Sequence, residues 1–162
     1  MNFTEKTGYK AVWVIRKFID EESYLSNKPY GVVVMQPNVL LNEGVNELFT
    51  ILCSSGGTKF DNANAHLGVG DGFTPADPAQ TGLLGANKLY KGMDTGFPTF
   101  GTLQKATWRA TFGGSEANFA WREFTVANGS DDGAVNLNRL VSDQGVKVSG
   151  QVWELSLSIT LG

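Results

Sequence analysis

At 162 residues, with 41% hydrophobic and 18% charged side chains, the chain is long enough for one domain with a real core and too short for two. A net charge of -3, with 13 Lys+Arg against 16 Asp+Glu and no basic run, argues against a general nucleic-acid binder, which needs a cationic stripe to release counterions. The single cysteine, Cys53, excludes an intrachain disulfide, and no apolar run approaches the ~20 residues of a membrane helix. The N-terminal residues carry no apolar stretch of signal-peptide length, so the expectation is a soluble protein made in the cytoplasm, with neither nucleic acid nor membrane as partner. Twenty glycines among many Thr, Ser and Asn suit an all-β chain rich in turns.

Taken in order, Tyr9 to Ile19 is β-branched and aromatic, and from Ala11 to Ile15 it is apolar on both parities. That pattern fits a strand covered on both faces or lying at a subunit contact. Asp20 to Pro29 is polar and reads as a loop; Tyr30 to Gln36 is a second strand, stopped by Pro37. Residues 1–37 are therefore expected to form an N-terminal strand or arm attached to a domain spanning 38–162. A helix is predicted near residues 42–54. Asn42 is placed to cap it, Glu43 suits its positive end, and Val45, Leu48, Phe49 and Leu52 make one apolar stripe. Gly56 and Gly57 mark its stop.

His66 to Gly85 is the stretch with the most chemical suggestion: a short strand, Leu67 to Val69, then Gly70, Asp71 and Gly72 and a long loop. Asn87–Met93 is a short mixed segment, and further strands are predicted at Leu103–Phe112, Phe119–Ala127 and Leu137–Val141, with a weaker one at Val146–Val148. The clearest is Gln151–Leu161, where Trp153, Leu155, Leu157, Ile159 and Leu161 alternate with Glu154, Ser156, Ser158 and Thr160. Strands separated by Gly, Asn and Asp turns, with one short helix, predict a mainly β fold: an antiparallel β-sandwich, jelly-roll or immunoglobulin-like.

The glycine stretch lacks the partners each candidate chemistry requires. A phosphate loop needs a Lys and a Ser/Thr opening a helix, whereas Gly72 is followed by Phe73 and Thr74, and then by Pro75 and Pro78. A calcium hand needs a closing Glu and alternating oxygen donors around Asp71 and Asp77. One histidine, His66, does not make a multi-histidine zinc site, and no Gly-x-Ser-x-Gly elbow occurs. The glycines read instead as places of close backbone approach, and Cys53 as a small packed residue. No catalytic, metal-binding or cofactor-binding residue is expected. The tryptophans Trp13, Trp108, Trp121 and Trp153 lie in strands, where core or subunit-contact roles outweigh sugar stacking.

Four stretches together resemble a recurrent pattern in small virion proteins of tailed bacteriophages: HLGVGDG from His66, LLGANKLYKGMD from Leu83, RATFGGSEANFAWREF from Arg109, and Leu137–Arg139 followed by VSGQVWEL from Val148. The resemblance covers roughly residues 38–162 and implies a non-enzymatic particle component. The role expected is that of a capsid decoration (cement) protein on the outer surface of the head. It would bind the lattice of the major capsid protein and self-associate, a trimer being one form. A tail or tail-fibre component is the alternative, and a carbohydrate-binding module comes third. Protein contacts are expected at Val12, Trp13, Val14, Ile15 and Phe18 of the arm and at Phe73, Leu83 and Leu84 of the loop.

Overall fold

The computed structural model describes residues 8–36 and 38–162; residues 1–7 and Pro37, the head of the expected arm and the stop of its second strand, lie outside the described residues. In chain order the elements are β1 (Tyr9–Phe18), α1 (Glu21–Leu25), β2 (Gly31–Met35), β3 (Val39–Leu40), α2 (Asn42–Cys53) and β4 (His66–Gly70). There follow β5 (Lys88–Gly92), β6 (Thr99–Thr102), β7 (Lys105–Phe112), β8 (Glu123–Ala127), β9 (Asn138–Val141) and β10 (Val152–Leu161). They form two five-stranded antiparallel sheets, β2-β1-β10-β7-β6 and β3-β9-β8-β4-β5, packed as a β-sandwich.

β10 is the central strand of the first sheet because its alternation supplies one fully apolar face. Trp153, Leu155 and Leu157 are buried, and Leu155 and Leu157 stand opposite Ile15 and Trp13 of β1. The inner faces meet through aromatic rings. Trp13 lies 6.0 Å from Phe124 of the second sheet, and Trp121 sits edge-on to Phe112 at 4.8 Å and Trp153 at 4.9 Å. Each such pair contributes about 0.5–1.5 kcal/mol beyond its buried area.

Residues 9–36 are not an arm. β1 lies between β2 and β10 and pairs with β10 along its whole length, with Trp13, Ile15 and Phe18 completely buried. Its apolar character on both parities has a simple cause: Trp13 and Ile15 fill the core, while Val12 and Val14 stand half-buried on the outer face. The expected boundary at residue 37 would therefore divide the first sheet between β1 and β10. Removing residues 1–36 would take out β1 and β2 of the first sheet rather than release an attachment.

Two elements depart from the expected loops. Asp20 and Ser23 form a reciprocal capping box that starts α1 within the polar segment, placing Tyr24 edge-on to Phe18 at 5.2 Å. Thr99 to Thr102 forms the edge strand β6, closed onto β7 by Leu103 and Gln104. The strand expected from Phe119 begins only at Glu123, and Val146 contributes a single bridge, to Ala120.

α2 occupies the predicted position, but Leu41 and not Asn42 takes the N-cap place, without a side-chain bond. The helix docks through Gly44 against the backbone at Asn136 and Leu137. Two glutamates tether it: Glu43 accepts from the Asn136 amide at 2.9 Å, and Glu47 from the Asn128 side chain at 3.2 Å. With its docking face spent on a glycine and two carboxylates, most of the apolar stripe points outward. Leu48, Phe49 and Leu52 are exposed.

Candidate functional site

The glycines of β4 recur at every second position, so they share one face of the strand, the outer face of the second sheet. Opposite Gly70 and Gly68 on β8 stand Glu123 and Thr125, and Arg139 of β9 points from the same face. A Cβ at Gly70 would lie 2.4 Å from the Glu123 carboxylate, and one at Gly72 would lie 2.7 Å from it. The bare face is a trough in which the Glu123 side chain lies. The loop from Asp71 to Asn87 covers it as a third layer.

Glu123 and Arg139 are both fully buried and paired at 2.7 Å. The remaining lone pairs of the carboxylate accept from loop amides: Gly72 at 3.2 Å, Leu84 at 3.0 Å and Gly85 at 2.6 Å. Arg139 donates through Nη1 to the Thr74 carbonyl at 2.8 Å and to Gln80 at 3.0 Å. Asp71 accepts from Asn87 at the loop's neck, and that amide holds its carboxyl below the usual carboxylate range. The Glu123–Arg139 pair and Asp71, the charged groups nearest the glycines, are thus occupied in fastening the loop. Among the described residues no group of three or more His, Cys, Asp or Glu side chains is arranged to hold a metal ion. His66 sets its Nδ1 2.8 Å from the Asn64 carbonyl.

A second buried charge fastens another turn. Lys147, with no exposed surface, donates to the Gly113 carbonyl at 2.7 Å, the Glu116 carbonyl at 2.9 Å and Asn118 at 2.8 Å. Burial pushes this ammonium down to about 8, with Glu116 drawing it back up. Between that value and the ordinary 10.5 the unfolded chain holds the proton and the fold releases it, so stability rises with pH across the window. The slope for this one proton is at most about 1.4 kcal/mol per pH unit. Tyr9, pushed up to about 12 by burial, acts in the opposite sense above its ordinary 10.0. The difference between wild type and Lys147→Met isolates the lysine. Urea midpoints across this range are expected to rise more steeply with pH in the wild type than in the variant, and parallel curves would refute the assignment.

One end of the sandwich is open and apolar. A hollow of about 650 Å³ is floored by Phe60, Trp108, Leu137 and Ile159 and rimmed by Leu48 of α2, Leu103 of the β6–β7 turn and Leu161 of β10. Trp108 turns its indole N–H away, to the Phe60 carbonyl at 2.9 Å, which leaves ring surface toward the hollow. At the rim the Tyr9 hydroxyl donates to Asn38 at 3.1 Å. Phe49, Leu52 and Phe100 extend the apolar surface of the adjoining helix and hairpin. Leu103 is the unusual residue here. It holds a left-handed backbone, φ +56°, in a turn position that favours Asn or Gly, and its side chain is 77% exposed. A non-glycine residue in that region costs roughly 1–2 kcal/mol, and no burial of Leu103 offsets it within this chain.

The expected contact residues divide. Trp13 and Ile15 lie in the core between the sheets, Phe18 is buried against Tyr24 of α1 and Leu83 is buried within the covering loop, so none has surface to offer a partner. Val12 and Val14 keep part of their surface on the outer face of β1. Phe73 and Leu84 are exposed, Phe73 beneath the Arg122 guanidinium at 4.1 Å from its ring centroid. All four tryptophans are buried, so none forms an exposed stacking platform. Cys53 is exposed at the end of α2, not packed beside Leu52. The apolar hollow was not anticipated, since its lining comes from α2, β1, β7, β10 and the segments between them. Among the described residues no helix is long and apolar enough to cross a membrane. No family model matches the chain, and no curated protein or solved structure matches it.

Proposed function

We propose that the chain is a non-enzymatic virion structural protein of a tailed bacteriophage, a capsid decoration protein on the outer surface of the head that binds and stabilises the lattice of the major capsid protein. The motifs at His66, Leu83, Arg109 and Val148 suggest the class. The observation that carries the reading is the apolar end: a hollow rimmed by Leu48, Leu103 and Leu161, with Leu103 displayed on a strained turn. Exposed apolar surface of this kind marks an interaction site, and backbone strain retained without internal compensation is characteristic of one. The buried charges Glu123, Arg139 and Lys147 are consumed by loop fastening, which suits a scaffold that presents a surface. An apolar segment of a capsid subunit is the occupant that fits this hollow.

The decisive experiment fractionates the parent particle into heads and tails and quantifies the protein in each. Recovery with heads supports decoration; recovery with tails alone gives the role to the tail component, and absence from both defeats a virion role. At the residue level, Leu103→Asn suits the left-handed turn and should raise stability by up to about 1 kcal/mol. The same change should weaken attachment to shells in a co-sedimentation assay. A variant that gained stability and bound shells undiminished would dissociate the turn from the contact.

A further inference from the structure

Among the described residues the sandwich has four edge strands, and three are blunted. β3 is two residues long, β5 carries Lys88 and Lys91, and β6 is broken by Gly101 at φ +94° with a register shift between Thr99 and Thr102. Short length, lysines and irregularities are the devices that keep an edge from pairing with another chain. β2, Gly31-Val-Val-Val-Met35, has none of them. It pairs with β1 on one side, and among the described residues its other side has no backbone partner. Val32 and Val34 are 57% and 63% exposed on its outer face, with Tyr30 exposed beside them.

We infer that β2 is a self-pairing edge: two copies of this chain join their β2 strands antiparallel about a two-fold axis at Val33, continuing the β2-β1-β10-β7-β6 sheet across both copies. The register follows from the strand itself. A two-fold perpendicular to the sheet maps outer face onto outer face, so a residue must stand opposite itself, and centring on Val33 engages all five residues. Val32 of each copy then faces Val34 of the other. Val14, the β1 neighbour of Val34 in register, extends this apolar strip on the outer face. On the inner face Val33 meets Val33, and Gly31 stands opposite Met35 of the second copy. The space at Gly31 is free, the nearest atom to a Cβ there being Lys17 Cδ at 4.0 Å. No β2 side chain is charged, so no like charges are juxtaposed. A β-branched strand opposite itself is the pairing that such an edge selects, and the second copy supplies that partner at equal concentration.

The inference stands apart from the proposed function, since it concerns the free protein and a different face from the apolar hollow. It is tested by measuring the mass of the full chain in solution by light scattering, for wild type and for V32K/V34K. The wild type is expected at the mass of two chains and the variant at the mass of one, with an unchanged circular dichroism spectrum. The register is tested separately in a Cys53→Ser background: an oxidised mixture of V32C and V34C chains should cross-link more completely than either alone. This arm stays informative if V32K/V34K does not fold. A wild-type mass other than that of two chains, a dimer that survives V32K/V34K, or cross-linking no better in the mixture than in the single variants overturns the inference.

Discussion

Replacing Glu123 by Gln is expected to be among the most damaging single changes in the chain, although it alters one atom. Both carboxylate oxygens accept and neither has a free side: one faces the amides of Gly72, Leu84 and Gly85, the other Leu84 and the Arg139 guanidinium. An amide in either flip points its NH2 at donors and leaves a fully buried arginine without a counter-charge. Breaking one side of a buried pair costs roughly 3–5 kcal/mol. In a domain of this size that lowers the melting temperature by roughly 6–20 °C. Arg139→Met should cost a similar amount, because it strands the carboxylate and frees the Thr74 carbonyl and Gln80.

The two readings of this pair, global keystone and loop fastener, differ in the double variant. In E123Q/R139M neither member of the pair is left as an uncompensated buried charge, so the cost should be less than the sum of the single costs. The amides of Gly72, Leu84 and Gly85 and the Thr74 carbonyl still lack their full partners, and the loop can satisfy them only by lifting into water. Chymotrypsin cleavage near Phe73 or Leu84 should therefore be fast in the double variant even where unfolding by denaturant is partly restored. Strict additivity together with an uncleaved loop would count against the clasp.

How far this arrangement was readable depends on the kind of signal. β10 and β7 were plain because one face of each meets the core and the other does not, and period-two alternation records that directly. β1 was read as an arm because its outer face also carries valines, and a strand apolar on both sides reports covering without saying by what. The glycines at 68, 70 and 72 are points of close approach, but what approaches is side chains distant in sequence, Glu123 at Gly70 and Gly72 and Thr125 and Tyr90 at Gly68. Their spacing of two does carry the clue: alternate glycines on a strand strip one face and require something to lie there. α1 was missed although Asp20 and Ser23 are a local capping pair, since a five-residue helix shows no apolar period. The hollow is assembled from elements far apart in the chain. Its only local hints are a helix stripe, Leu48, Phe49 and Leu52, longer than one helix needs to dock, and a Leu-Gln pair where a hairpin turn favours Asn-Gly.

The second large effect reverses the sign that helix propensity assigns. Gly44 lies inside α2, where alanine is ordinarily about 1 kcal/mol more favourable. Here a Cβ would sit 2.4 Å from Leu137 Cα and 2.7 Å from the carbonyl oxygens of Asn136 and Leu137. All three are backbone atoms of the segment that leads into β9, and Leu137 is itself held by its amide to the Val126 carbonyl at 2.8 Å. They cannot rotate aside as a side chain would, so the helix must lift. Lifting stretches the Leu41 amide bond to the Leu137 carbonyl, 3.0 Å long, and the Glu43 bond to Asn136. Overpacking of this kind costs about 1–3 kcal/mol, and two weakened hydrogen bonds add to it, so the propensity gain is outweighed. Gly44→Ala is expected to lower the denaturant midpoint, while Asn46→Ala, exposed on the same helix, should leave it unchanged or raise it. The displacement also reaches the apolar rim, because Leu48 rides on the same helix. On the proposed capsid role, Gly44→Ala should therefore weaken attachment to shells under conditions where the domain is still fully folded. An alanine that stabilised the chain would mean that α2 is not seated on the β9 segment through this glycine.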